Sequence, residues 1–494
     1  MTVIVGTMAH RVDAQLRPDP SRVIARLFLP GEELPRGRSR AGAVIARVLA
    51  LSEDEVERVA AQLLTDFSGR HREYAAMLAD HASRMRSHLK KTPPMTEARA
   101  LVMGAAFTAE YAVEGAALCN PSAVLHPDQT HLLAGEARIA ISLRGIGEGH
   151  TSSIGFASAV VGPDASWTFQ PRAHPVVAGV STPARWRKDH LRAVLADDKR
   201  IDGLAHSVLA DLPTEFTGLD LEQALAEEHQ DLLSRAGAQV TVDLLRRLVG
   251  SAYEVSFPSD VTLSQQVLFP STADESNGLE DARFVRFVDA DGSIEYRATY
   301  TAFDGAAIAP RLLTSADLRS FSAHRLAGPA ARNKGMALFP RLVGGRHLAL
   351  CRADGESTSL ASSADGFVWG APALIQAPRA SWEVLQVGNC GPPIETDRGW
   401  LVLTHGVGPM RTYAIGAILL DLDDPTRMVA RAERPFLQTT ADERDGYVPN
   451  VVYSCGGVVH DGLLWLPYGI GDARIGVVWV SLDELLDSMT PITS

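Results

Sequence analysis

The sequence predicts a mainly β protein that also carries two helical segments, and three observations support this class. From Tyr253 onward, strand-like runs are separated by DG, GG and DD turn signals. Short β-like runs also occupy residues 120–180. Apolar residues recur at helical spacing in two places, 51–117 and 183–250. Several short strands at near-regular spacing are typical of a sandwich, a barrel or a propeller.

The helical segments carry start and stop signals. Ser52 is followed by three acidic residues, which predicts an N-cap and a favourable first turn. Prolines at 93 and 94 interrupt the pattern, and a second helix is predicted over 96–117. Between 183 and 250, leucines recur at helical spacing, so we expect helices inserted into the β scaffold or beside it.

A weak internal repeat favours the propeller among the three β architectures. Residues 158–167 and 362–369 each combine a Ser-containing strand end, a turn with Asp, and a Trp that opens the next strand. The predicted strands include Ala137–Leu143, Ile154–Val161, Phe284–Val288, Tyr296–Tyr300, His347–Cys351, Trp400–Thr404, Ile415–Leu420 and Leu463–Pro467.

Composition excludes several classes of protein. The chain has 494 residues and a formal net charge of −12, which argues against nucleic-acid binding because phosphate backbones attract basic proteins. Its four cysteines form no CxxC pair, and neither a signal-peptide core nor an apolar run of about 18 residues occurs. We therefore expect a cytoplasmic protein without a membrane segment. No nucleotide-binding, zinc-protease or nucleophile-elbow motif occurs, so neither a metal nor a cofactor is predicted.

The first of five informative windows spans residues 277–284. Glu280 and Asp281 precede Arg283 at the predicted edge of a strand. One carboxyl group there can serve as the acid that glycosyl transfer requires. A solvated loop with a local salt bridge explains the same residues.

The second and third windows place cations at predicted strand ends. Lys334, Arg352 and His405 are flanked by glycines, which let an anion approach them. Each alone is more often a surface cation or a packed histidine, so the interpretation depends on their convergence.

The last two windows place polar residues among Gly, Pro and aromatic residues, as sugar sites do. They contain Tyr447 and Asn450, and then Asp472. A plain connection between two strands is the alternative.

Taken in order, these windows resemble glycoside hydrolase family 130, the β-mannoside phosphorylases and related β-mannosidases. The resemblance covers roughly 120–180 and 253–480. Its motifs are Asn120-Pro121-Ser122, Arg144 with Ser152-Ser153-Ile154, GLEDARFV, ATYTAFDG, NKGMALFP, GNCGPPIET, GWLVLTHGV, GAILLDLDDP, GYVPNVVY and YGIGDARIG.

The resemblance implies a five-bladed β-propeller, with added helices, whose active site lies in the central depression. It implies that Asp281 is the general acid of an inverting reaction. Phosphate, the co-substrate, would be bound by Lys334, Arg352 and His405, which hydrolytic members lack. The implied substrate-binding residues are Asn120, Arg144, Glu280, Arg283, Tyr447, Asn450 and Asp472.

Some features depart from the family pattern. Gly335 stands where the family usually has Asp, and Asn389 and Cys390 replace small residues. The helical segments are additional, and we expect them to cap the site or to form a homo-oligomer contact. The predicted organisation is an N-terminal segment leading into the propeller at 1–50, a helical segment at 51–118, the first blade at 119–182, a helical insertion at 183–250 and the remaining blades at 251–494.

The leading hypothesis is phosphorolysis of a β-mannosidic bond to give α-mannose 1-phosphate. The first alternative is a β-mannoside hydrolase in which Glu383 or Glu395 activates water. The second is a non-catalytic glycan-binding propeller with helical dimerisation elements. It requires Asp281 and the cations to lie on different faces.

Overall fold

The computed structural model describes residues 8–31, 33–34, 38–86 and 94–492. Parts of the predicted N-terminal segment (1–7, 32 and 35–37) and most of the predicted proline break lie outside the described residues. Within the described ranges, no helix is both long enough and apolar enough to cross a membrane.

Within the described residues, five antiparallel meanders form most of the β structure, and every strand predicted from the sequence lies within one of them. The first consists of Ala117–Leu125, Ala137–Ile146, Ser152–Gly162 and Ser166–Phe169; the second of Gly278–Val288, Ile294–Phe303, Ile308–Ser315 and Ser320–Arg325; the third of Ala337–Leu338, His347–Cys351, Thr358–Ser363 and Ala373–Gln376; the fourth of Gln386–Asn389, Gly399–Val407, Tyr413–Leu420 and Met428–Arg431; the fifth of Val452–Tyr453, Leu463–Ile470, Arg474–Ser481 and His10–Arg11. The prediction of a mainly β protein is therefore confirmed.

Backbone contacts join each meander to the next, and the fifth returns to the first. A backbone bridge between Ser152 and Gly278 joins the first meander to the second. The other four contacts are hydrogen bonds from an amide to a carbonyl: Val288 to Pro340 (2.8 Å) joins the second to the third, and Val387 to Glu356 (2.9 Å) joins the fourth to the third. Tyr413 to Asn450 (3.0 Å) joins the fourth to the fifth, and Ala123 to Gly456 (3.1 Å) joins the first to the fifth. Both ends of the described chain join this arrangement. His10–Arg11 pairs with Arg474–Ser481, and Thr490–Pro491 pairs with Met428–Arg431.

In its described part, the first helical segment contains four helices around their own apolar core. They are Arg40–Ala50, Glu53–Phe67, Tyr74–Arg86 and Glu97–Ala106, so helix formation begins before the predicted boundary at 51. The predicted cap is confirmed, because the Ser52 side chain accepts a hydrogen bond from the Glu55 amide at 3.3 Å.

The prediction of one helix over 96–117 is wrong after residue 106. Thr108–Ala112 pairs with Val23–Leu27, and Ala117–Leu125 begins the first meander. The alanines here suit a helix in isolation, but strand pairing and burial override that propensity.

The second helical segment is confirmed and has its own core. Its helices are Lys188–Asp197, Gly203–Asp211, Gly218–Glu227, Gln230–Leu233 and Ala238–Val249. Trp186 is fully buried at the centre and donates to the carbonyl of Val249 at 3.0 Å. The segment docks on the second meander through the Arg325–Asp198 ion pair at 2.9 Å.

Two histidines, buried His190 and half-buried His324, lie where this segment meets the sheet. His190 contacts the Arg325 carbonyl at 2.7 Å, and its ring lies 6.3 Å from that of His324. Burial lowers the pKa of each histidine from 6.5 to about 4. Both rings are therefore neutral at pH 7.

We expect the free energy of unfolding to fall as the pH drops from 6.5 toward 4, because protonation then favours the unfolded chain. The loss at pH 5 is roughly 2 kcal/mol per histidine. The double variant His190→Gln/His324→Phe should lose less stability between pH 7 and pH 5 in urea unfolding. His206→Gln, at an exposed histidine of the same segment, should behave like the wild type. An equal loss in all three proteins would contradict the assignment.

Candidate active site

The sequence suggested that Asp281 lies at the edge of a strand. In the structure, Asp281 lies inside strand Gly278–Val288. Strand Gly278–Val288 pairs with Ile294–Phe303, and a bulge interrupts the pairing between Glu280 and Arg283. Asp281 occupies this bulge with a φ of +56°, in the left-handed region. The bulge changes the direction of its side chain, as bulges near active sites do.

Arg144 connects the two adjacent carboxylates. Its guanidinium donates to Glu280 at 2.7 Å, to Asp281 at 3.1 Å and to the hydroxyl of Ser152 at 2.9 Å. The Asn120 side chain donates a second hydrogen bond to Asp281. The predicted residues Asn120, Arg144, Glu280 and Asp281 therefore form one cluster.

Asp281 is held in its charged form. Burial alone would raise the pKa of Asp281, but three neighbouring cations outweigh burial and lower the pKa to about 2. These cations are Arg144, Arg283 and Lys334. Asp281 is therefore a carboxylate at neutral pH.

Lys334 reaches the same cluster from the third meander. Its ammonium group forms an ion pair with Glu280, and its side chain remains about one-third exposed. The Phe303 ring lies 5.9 Å from the Lys334 Nζ atom. A partly exposed cation beside Asp281 is suited to receive an anion.

Arg352 and His405 form a pair at hydrogen-bond distance. Arg352 Nη1 lies 2.9 Å from His405 Nε2. Burial and the charge of Arg352 lower the pKa of His405 well below 6.5, so the buried imidazole is neutral and accepts this hydrogen bond. The sequence suggested a histidine cation, which this environment disfavours. Arg352 Nε is buried and has no hydrogen-bond partner among the described residues.

Arg283 ties the cluster to two other meanders. Its guanidinium donates to the Cys390 carbonyl at 2.9 Å, to the Asp281 carbonyl at 2.8 Å and to the Tyr453 hydroxyl at 2.8 Å. Because Arg283 is only 2% exposed, this geometry favours a positioning role over the substrate contact that the sequence suggested.

Tyr453 is a site residue to which the sequence analysis gave no role. Besides meeting Arg283, its ring packs edge-on against His405 at 4.9 Å between centroids. The motif GYVPNVVY contains this tyrosine, but nothing in its local pattern distinguishes it from a packed aromatic residue.

Asn389 and Gly335, two of the positions at which the sequence suggested a departure from the family pattern, contact each other. Asn389 donates from its side chain to the carbonyl of Gly335 at 2.9 Å, and Gly335 has a φ of +100°. This hydrogen bond connects the loop that carries Lys334 with the fourth meander.

Asp472 lies close enough to Asp281 and Arg144 to interact with their charges. Burial and the charge of Asp281 raise the pKa of Asp472 to about 6, although Arg144 opposes the change. Its Oδ1 atom is buried and has no hydrogen-bond partner within the described ranges. A buried acceptor without a partner is suited to a sugar hydroxyl.

Tyr447 and Asn450 are less closely connected to the cluster. Tyr447 is 42% exposed, and its hydroxyl lies 2.5 Å from His150 Nδ1, which places it at the rim. Asn450 contributes its carbonyl to the amide of Tyr413. Their roles in substrate binding stay predictions.

The two carboxylates proposed for a hydrolase are engaged elsewhere. Glu383 is buried and accepts hydrogen bonds from the amides of Arg379 and Ala380 at 2.8 and 2.9 Å. Glu395 forms an exposed ion pair with Arg341. Neither is free to activate water beside Asp281. In the described part of the chain, no group of three metal-ligating side chains is arranged to hold an ion.

We expect Asp472→Asn to stabilise the protein more at pH 8 than at pH 4.5. The pKa of Asp472 in the folded state is raised from its usual 3.8 to about 6, so the ionisable side chain costs stability as the pH rises from 3.8 to 6, and the full cost is present above pH 6. The expected gain is about 3 kcal/mol at pH 8 and roughly 1 kcal/mol at pH 4.5, measured by urea unfolding. Asp461→Asn, at an exposed turn, provides the control. A gain of equal size at both pH values would show that the effect is not electrostatic.

Comparison with known proteins places this chain in a family. A family model described as beta-1,4-mannooligosaccharide phosphorylase matches residues 255–491. The chain is 35% identical over 231 residues to a 1,2-beta-oligomannan phosphorylase of Thermoanaerobacter sp., covering 45% of this chain and 75% of that protein. It is 30% identical over 229 residues to a beta-1,2-mannobiose phosphorylase of Listeria innocua, covering 45% and 63%.

Among solved structures, the beta-1,2-mannobiose phosphorylase of Listeria innocua in complex with beta-1,2-mannobiose aligns with a TM-score of 0.46 at 21% identity. The alignment covers 76% of this chain and 92% of that one. The sequence relationships, which reach three-quarters of the length of a named relative, carry the assignment. The chain belongs to glycoside hydrolase family 130.

Proposed function

We propose that this protein is an inverting phosphorylase that cleaves β-mannosidic bonds with inorganic phosphate. One observation carries the proposal: Asp281 and the cations Lys334 and Arg352 belong to one connected cluster. Lys334 is connected to Asp281 through the neighbouring Glu280. Arg352 is connected to it through His405, Tyr453 and Arg283. The relatives named as phosphorylases of mannosides support the same activity.

The charges of the cluster favour an anionic co-substrate. Four cations face three carboxyl groups, and burial favours the neutral form of one of these, Asp472. The unpartnered Arg352 Nε and the partly exposed Lys334 leave donors for phosphate oxygens. The cations are Arg144, Arg283, Lys334 and Arg352, and the carboxyl groups are those of Glu280, Asp281 and Asp472. His405 acts through Arg352, which it orients.

The reaction is a single displacement at the anomeric carbon. A phosphate oxygen forms the new bond to carbon while the glycosidic carbon–oxygen bond breaks, and the departing oxygen receives a proton from Asp281. Asp281 is ionised in the free protein, so it must acquire this proton as the substrates bind. Phosphate bound at Lys334 offsets the positive charge that lowers the pKa of Asp281 and thereby favours its protonation. The product is α-mannose 1-phosphate.

The five meanders are proposed to be the blades of a propeller. The chain of backbone contacts from the first meander to the fifth and back supports a ring. Arg283 supports the same arrangement, because it bridges the second, fourth and fifth meanders at one point. In a propeller, these inner strands surround the central depression.

We also propose a cytoplasmic location. The four cysteines are buried and unpaired, as expected in a reducing compartment.

We expect Asp281→Asn to reduce phosphorolysis of β-mannosides by about 10²–10⁴-fold, because it removes the proton donor. Product formation is measured as mannose 1-phosphate from β-1,2- and β-1,4-linked mannobiose. Glu395→Gln, which alters the exposed carboxylate of the hydrolase alternative, should retain activity. Free mannose released by the wild type without phosphate would overturn the proposal.

Removal of either proposed phosphate ligand should weaken phosphate binding more than mannoside binding. We expect Lys334→Ala and Arg352→Ala each to raise the KM for phosphate roughly tenfold or more. The KM for mannobiose should change by less than about threefold, because the two side chains are proposed to bind phosphate and not the mannoside. Arg346→Ala, at an exposed arginine of the same meander, is the matched control. Equal effects on both substrates would instead indicate general disruption of the site.

A further inference from the structure

A cleft of about 710 Å³ lies between the second helical segment and the second meander. One wall is the helix Ala238–Val249, and the other is the turn that joins Ile294–Phe303 to Ile308–Ser315. Its volume is in the range typical of small-molecule sites. Nothing in the proposed phosphorolysis uses it.

The cleft adjoins the candidate active site. Phe303 pairs with Gly278, which lies three residues before Asp281 on the same strand, or about 10 Å along it. The Phe303 ring also lies near Lys334. The next residue, Asp304, lines the cleft. A sugar chain that extended from Asp281 past Phe303 would therefore reach the cleft at Asp304.

The charges in the cleft suit a neutral, hydroxyl-rich ligand. Carboxylates and guanidinium groups are nearly balanced, so an anion or a cation would meet a like charge on either wall. Sugar hydroxyls donate to carboxylates and accept from guanidinium groups, so they use both. The charged lining residues are Asp198, Arg200, Asp243, Arg247, Asp274, Asp304 and Arg325.

Several of these groups are available to a ligand. The Arg200 side chain is exposed and forms no hydrogen bond or ion pair with the described residues. Arg247 is about half exposed, and its nearest contact with Asp274 is 3.9 Å. By contrast, Arg325 and Asp198 pair at 2.9 Å and form a fixed wall. Val240 is 56% exposed and offers an apolar surface for the C–H face of a sugar ring.

We infer that this cleft binds the sugar units of the leaving group beyond the scissile bond. The preferred substrates are then β-mannooligosaccharides longer than the disaccharide. This inference rests on the proposed function at Asp281 and assigns a substrate class to it. The second helical segment thereby contributes to the specificity for the length of the substrate chain.

The test is the dependence of phosphorolysis on chain length. KM is measured for mannooligosaccharides of two to four units, in β-1,2- and β-1,4-linked series. In the wild type, we expect the KM of the tetrasaccharide to be roughly tenfold below that of the disaccharide in the preferred series. In Arg200→Ala/Arg247→Ala, this ratio should approach one. Arg192→Ala, at an exposed arginine of the same segment outside the cleft, should keep the wild-type ratio.

Two results would overturn the inference: no chain-length dependence in the wild type, or an unchanged ratio in the double variant. If no β-mannoside is phosphorolysed, the proposed function fails, and the cleft is then tested alone. Saturation-transfer NMR with mannotetraose in the absence of phosphate would show binding to the wild type and its loss in the double variant. Absence of binding to the wild type would reject the cleft as well.

Discussion

The arrangement of this site depends on Arg144, which holds two adjacent carboxylates together. Glu280 and Asp281 would repel each other in a buried environment without a cation between them. The guanidinium of Arg144 contacts both, and Lys334 contacts Glu280 from the other side. Breaking such a buried network by removing one member is strongly destabilising, because it leaves an uncompensated charge. The contact between the first, second and third meanders therefore depends on all four charged side chains, those of Arg144, Glu280, Asp281 and Lys334.

Arg283 connects the site with the fourth and fifth meanders. It uses three hydrogen bonds to connect Asp281 with the Cys390 carbonyl and Tyr453. Arg283, which follows the bulge at Asp281, thus connects this bulge with the fourth and fifth meanders. Asp281 is held by Asn120 and Arg144 of the first meander and, through Arg283, is connected with the fourth and fifth meanders. These contacts explain how a residue with positive φ is held in one direction.

Much of this could be predicted from the sequence. The strands followed from turn signals and β-like runs, and each predicted strand lies inside an observed one. Asn120, Arg144, Asp281 and Lys334 were identified because their motifs occur in a fixed order. Local patterns misassigned residues 107–117, where pairing with Val23–Leu27 decides the structure.

The state of the site residues could not be predicted, because it depends on partners distant in sequence. Arg283 reaches across 107 positions to Cys390 and 170 to Tyr453, and these contacts bury it. The neutral form of His405 depends on burial and on Arg352, 53 positions away. No window of a few residues contains that information.

The hydrogen bond between Asn389 and Gly335 couples two positions that are 54 residues apart in the sequence. The side chain of one binds the backbone of the other. The φ of +100° at Gly335 sets the direction of the carbonyl that Asn389 uses, and other residues adopt this conformation only with strain. Because the two residues are in direct contact, we expect substitutions at Asn389 and Gly335 to be non-additive in their effect on the free energy of unfolding. The loop that carries Lys334 is therefore coupled energetically to a side chain of the fourth meander.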